Sequence, residues 1–88
     1  MKDIYLEITF RKGKALAAYI YLTRKPSTPV YKSKKIYDGI IADFNSEENI
    51  IGLEITAPNK TNIFEIINIL SNYNIQLSEE ELAPLKAA

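Results

Sequence analysis

The apolar residues change period once along this chain, and that change limits what the chain can fold into. Up to residue 57 they recur at every second position; beyond Pro58 they recur three and four apart. "IYLEITF" (4–10) sets Ile4, Leu6, Ile8 and Phe10 on one side and Tyr5, Glu7 and Thr9 on the other, the alternation of a half-buried strand. "RKGK" provides a hairpin loop, with Gly13 free to adopt positive φ. "ALAAYIYL" (15–22) returns as a second strand with two rows, Leu16, Ala18, Ile20 and Leu22 against Ala17, Tyr19 and Tyr21. "TRKPSTP" (23–29) is a loop, because its two prolines remove ladder donors. "VYKSKKIY" (30–37) is a third strand, basic enough for an edge. Residues 38–45 and 50–57 form a stronger hairpin about "SEEN". Pairing residue 45 with 50 puts Ile40, Ala42 and Phe44 beside Ile55, Leu53 and Ile51 on one face, and a one-residue slip would scatter them.

Beyond Pro58, Ile63, Ile66, Ile67 and Leu70 make a helical stripe. Asn62 is placed to cap it with Glu65 as capping-box partner, and Asn74 to close it in the left-handed conformation. Ser78 and Glu81 repeat the capping signature, and Pro84 is expected to limit that second helix to one or two turns. The elements predict a single two-layer α+β domain over 1–88. An antiparallel β-meander of four or five strands (1–57) carries one C-terminal helix (61–74) on its apolar face, followed by a tail (75–88) with a short helical turn.

Of the 88 residues 47% are apolar and 25% charged, as in ordinary globular domains, and there is neither Cys nor His. Disulfides and thiolate metal sites are excluded. The commonest general base is missing, which weighs against an enzyme. Asp3 and Glu7 interrupt the N-terminus where a signal peptide needs an unbroken apolar run, and "ALAAYIYL" is too short to span a bilayer. The expectation is a cytoplasmic protein with no membrane contact and no cofactor.

Net charge is zero, yet the charges are segregated. Arg11, Lys12, Lys14, Arg24, Lys25, Lys32, Lys34 and Lys35 fall between Ile8 and Tyr37 with no acid among them. That makes +8 in this span; the rest of the chain holds three Lys and all eleven acids, 3 − 11 = −8. Such asymmetry marks either a nucleic-acid surface, with Lys32 and Lys34 beside stacking tyrosines, or a solvated edge on which lysines block pairing. The two clusters "RKGK" and "TRK" lie at opposite ends of the second strand, about 25 Å apart for eight residues, and do not form one patch within a monomer.

The stretch "DGIIADFNSEENIIGLEI" (38–55), together with "ALAAYIYL", resembles an uncharacterised family of short bacterial proteins, a domain of unknown function. Its members pair an "ALYIxL" strand with a "DGVIVDYDEDGNIVGIEIL" hairpin. The likeness covers about residues 4–57. Glu48 stands where the family has Gly, a departure that is costly if the position needs positive φ. The resemblance implies no established activity. It does imply an antitoxin-like role beside small toxin-like proteins.

Three groups are candidate sites. In the expected register Asp43 lies opposite Gly52 and diagonal to Glu54, roughly 7–8 Å away on the face turned from the helix. Two carboxylates so placed can share a divalent cation or serve as acid and base; the plainer reading makes both solvent-facing strand residues. Gly52 leaves a notch there for a neighbouring side chain or backbone. The basic residues form the second group. The third is Tyr5, Tyr19 and Tyr21, which share the outer face with Ile41 and are either ordinary strand residues or a partner surface. The leading expectation is a non-enzymatic protein acting as a homo-oligomer or by binding a small protein partner. Its rivals are a nucleic-acid module using the basic 11–35 segment and a metal-dependent hydrolase using Asp43 and Glu54.

Overall fold

β1 (Tyr5–Arg11) and β2 (Lys14–Tyr21) form where the alternation places them. A two-residue turn closes them, with Lys12 at φ 54° and Gly13 at φ 79°. Positive φ at both positions gives a turn whose twist matches that of the flanking strands. The computed structural model describes residues 4–22 and 29–87. Further along come β3 (Lys32–Tyr37), β4 (Ile40–Phe44), β5 (Ile50–Ile55), a 3-10 turn (Pro58–Lys60), α1 (Ile63–Ser71) and α2 (Ala83–Ala87).

The class is the expected α+β, with a five-stranded antiparallel sheet and the helix α1. The strand order is not that of a meander: it runs β1-β2-β5-β4-β3. β2 pairs with β5, from Ala18 opposite Ile55 to Tyr21 opposite Gly52. The reason lies in the strands themselves. β2 is apolar enough to need neighbours on both sides, and β5 meets that need. β3 carries Lys32, Lys34 and Lys35, all exposed, and belongs at an edge. A five-strand meander would have put that basic strand in the centre. β2 and β3 therefore lie three strand spacings apart, about 14 Å.

Two boundaries differ from expectation. β4 starts at Ile40 because Asp38 and Gly39 form a tight turn between Tyr37 and Ile40, with Gly39 at φ 78°. In the β4–β5 hairpin, Ile40, Ala42 and Asp43 face Ile55, Leu53 and Gly52 as predicted, and then a bulge sets Phe44 opposite Ile50 rather than Ile51. The extra residue reverses the phase beyond it. Ile50 packs against the core, while Ile51 is buried outside that cluster. At the hairpin tip Asn45 accepts bonds from the amides of Glu47 and Asn49, and Glu48 adopts φ 65°, the conformation a Gly would take without strain.

Asn62 caps α1 by accepting from the Phe64 amide at 2.8 Å. The helix is shorter than 61–74, being preceded by the 3-10 turn. It closes with Asn74 at φ 62° and the Ile75 amide bonded to the Leu70 carbonyl, the six-to-one bond of a Schellman ending. The Ser78–Glu81 box forms in both directions. Pro84 does not end a helix there. It sits in the first turn of α2, where its missing N–H leaves no bond unmade.

One face of the sheet is covered. Ala18, Ile20, Ile40, Ala42, Phe44, Leu53 and Ile55 meet Ile63, Ile66 and Leu70 from α1, and Leu77, Leu82 and Leu85 from the tail. The tail is thus a core element, which its acidic sequence hid. No helix among the described residues is long and apolar enough to cross a membrane.

Candidate functional site

The uncovered face carries a row of polar side chains that touches every strand. Tyr19 on β2 pairs across to Glu54 on β5, but its ring leans diagonally over Gly52 to reach β4. There its hydroxyl donates to Asp43 Oδ2 at 2.7 Å. Asp43 Oδ1 accepts from Ser33 Oγ of β3 at 2.6 Å. On the other side the Tyr19 and Tyr21 rings lie 4.6 Å apart between centroids, and Tyr21 Oη donates to Glu7 Oε1 of β1 at 3.3 Å.

Gly52 is what makes this row possible. It is buried, and a Cβ on it would collide with Oη, Cζ and Cε2 of Tyr19. The notch expected opposite Asp43 is real, and the side chain that fills it is Tyr19. A glycine in a strand interior weakens the ladder entropically and gives no packing; an aromatic ring laid over it restores contact. Burial, and after it the bond to Asp43, hold the Tyr19 phenol well above the usual tyrosine range. Burial, followed by Glu7, raises Tyr21 as well.

Asp43 lies opposite Gly52 and so diagonal to Glu54, the expected register. Glu54 is exposed and sits directly opposite Ile41, while each carboxylate oxygen of Asp43 already accepts a hydrogen bond from a hydroxyl. No group of three or more His, Cys, Asp or Glu that could hold a metal ion occurs among the described residues. A cleft of about 250 Å³ beside the row is lined by Glu7, Thr9, Ala17, Ala18, Tyr19, Tyr21 and Glu54. It gathers two carboxylates, two phenols and the Thr9 hydroxyl.

The basic residues are dispersed. Arg11, Lys12 and Lys14 sit at the β1–β2 turn, and Lys32, Lys34 and Lys35 on β3, at the other edge of the sheet. Four strand spacings, about 19 Å, lie between those edges. Arg24 and Lys25 lie outside the described residues. Lys32 and Lys34 lie on the face opposite Tyr19 and Tyr21. They pair with Phe44 and Ala42, both core residues, and so point to the helix side. Lys32 Nζ stands 6.0 Å from the Phe44 ring centre and 3.7 Å from Glu48.

Of the tyrosine-face residues, Tyr5 is 58% exposed, Tyr21 and Ile41 are half-buried, and Tyr19 is engaged over Gly52. The sequence reading placed all four on one face but missed Ser33. A hydroxyl on a basic edge strand gave no signal until the register set it opposite Asp43.

Residues 17–57 match a family model described as protein of unknown function (DUF2283). The DUF2283 match takes in most of β2 and all of β3, β4 and β5, and with them Tyr19, Ser33, Asp43 and Gly52. β1 and α1 lie outside it. No curated protein and no solved structure matches the chain.

Proposed function

We propose that the protein works without catalysis, by association with a second copy or with a small protein partner through the sheet surfaces its helix leaves uncovered. The observation that carries this reading is the state of the open face. Its tyrosines present rings to solvent while the hydroxyls of Tyr19 and Tyr21 are already bonded within the chain. Such a surface can be covered without stranding those two hydroxyls, and aromatic rings bring large contact area at low entropic cost. Its carboxylate Asp43 is occupied in holding strands together. Where the partner is another protein, the family resemblance favours a small toxin-like chain, which gives this one an antitoxin-like role. Sedimentation at micromolar concentration is the direct test. A species larger than the monomer is expected; a clean monomer removes self-association and leaves only the heterologous partner.

A further inference from the structure

We propose that β1 is a pairing edge, and that a second copy of the chain adds its own β1 antiparallel to it about a twofold axis normal to the sheet. The proposal rests on the reading of association above and places self-association at the sheet edge rather than on the open face. β1 ends the strand order, so half of its backbone N–H and C=O groups face outward without a strand partner among the described residues. Nothing on it discourages pairing. Between Tyr5 and Phe10 the only charge is Glu7, there is no proline, and at the β1–β2 irregularity the additional residue, Leu16, belongs to β2. β1 itself stays regular.

Exposed apolar residues lie on this edge as well. Tyr5 and Phe10 are each 58% exposed and Leu16 49%, all on the β1–β2 hairpin. An antiparallel register centred on Ile8 sets Ile8 against Ile8 of the second copy, Leu6 against Phe10, Glu7 against Thr9, and Tyr5 against Arg11. Apolar residues meet apolar ones, the acid meets a hydroxyl, and the cation meets an aromatic ring. Leu6, Ile8 and Phe10 share one side by alternation, so the helix-side apolar layer would continue across the junction. A register centred on Glu7 would oppose like charges, and one centred on Thr9 would set Leu6 against Lys12 in the turn. The product is a ten-stranded sheet with both α1 helices on one side.

Hydrogen exchange on the wild-type chain reads this directly. Alternate β1 amides should exchange at least about tenfold more slowly at high than at low micromolar concentration, as in any segment protected by assembly. The chain has no Cys, so Ile8→Cys reports its own neighbour. At the axis the paired Cα atoms would lie about 5.5 Å apart, within disulfide reach. Mild oxidation should yield a covalent dimer from Ile8→Cys and none from Lys34→Cys. Phe10→Lys should give a folded monomer, whereas Ile41→Lys on the open face, with Glu54 opposite, should remain dimeric. If Ile41→Lys is monomeric and Phe10→Lys is not, or if a dimer shows no β1 protection, the edge is wrong while association stands. A wild type that stays monomeric overturns the β1 dimer outright.

Discussion

β3 and β1 close the two sides of one sheet and meet solvent with different chemistry. β3 presents Lys32, Lys34 and Lys35, has a register irregularity between Lys35 and Tyr37, and ties two of its lysines to Glu48 and Asp38 at 3.7 and 3.8 Å. β1 presents seven residues in regular alternation with one charge in its interior. Lysines on an edge must be desolvated before another strand can dock, and a bulge spoils the repeat of donors and acceptors. One edge is thus defended and the other is not. Between them the halves of the sheet, β1–β2 and β3–β4–β5, are joined by the β2–β5 ladder and by Tyr19 lying across it.

The comparison is broken most completely by removing what both edges depend on. Ile66→Asp places a charge among fully buried residues between α1 and the sheet, and should lose roughly 3–5 kcal/mol, enough to unfold a domain this small. Thermal melting followed by circular dichroism should show no cooperative transition. A near-native melt would mean that α1 does not hold the sheet.

Next in size is the seam. Gly52→Ala forces Tyr19 off its strand and should cost about 1–3 kcal/mol in urea titration, as overpacking does. An unchanged midpoint would show that Tyr19 moves aside freely and that the halves are joined by the ladder alone.

Tyr19→Phe keeps the ring and removes the hydroxyl, leaving Asp43 with Ser33 as its partner, and should cost about 1–2 kcal/mol. It also carries a pH signature. The phenol binds its proton more tightly in the folded chain than in the unfolded one, where tyrosine titrates near 10. The folded state therefore keeps the proton that the unfolded state loses. This contribution is fully present below about pH 10 and is lost as pH rises beyond it. Between about pH 9 and about pH 11 the urea midpoint should fall more steeply for wild type than for Tyr19→Phe. Equal slopes would place the phenol in water.

The smallest expected change in stability sharpens the contrast between edges. Lys32→Thr with Lys34→Thr should shift stability by no more than about 0.5 kcal/mol. It should nonetheless raise the weight-average mass in sedimentation, because β3 would then resemble β1. If the mass is unchanged, the lysines are not what keeps that edge apart.

The site was half legible before folding. The face of Tyr5, Tyr19, Tyr21 and Ile41 followed from alternation, and the notch at Gly52 from the oddity of a glycine inside a strand. That Tyr19 fills the notch needed β2 beside β5, a pairing between residues more than thirty positions apart. The Asp38–Gly39 turn was there to be read, since Asp-Gly between apolar runs is a strong hairpin signal. β4 accordingly begins two residues later than the run 38–45 suggests.

What the sequence determined by itself is local. The period of the apolar residues, the positive φ at Gly13, the caps at Asn62 and Ser78 and the closure at Asn74 are set by sterics and hydrogen bonds within a few residues, so they can be read without knowing the rest. Tertiary structure decided the order of strands, the burial of Leu77, Leu82 and Leu85 in an acidic tail, and the loss of Asp43 to Tyr19 and Ser33. Each depends on which surfaces compete for the same neighbour. β2 could have paired with β3 or β5, and β5 won because it is apolar where β3 is charged. That competition is settled by burial across the whole domain and has no signature in any one segment.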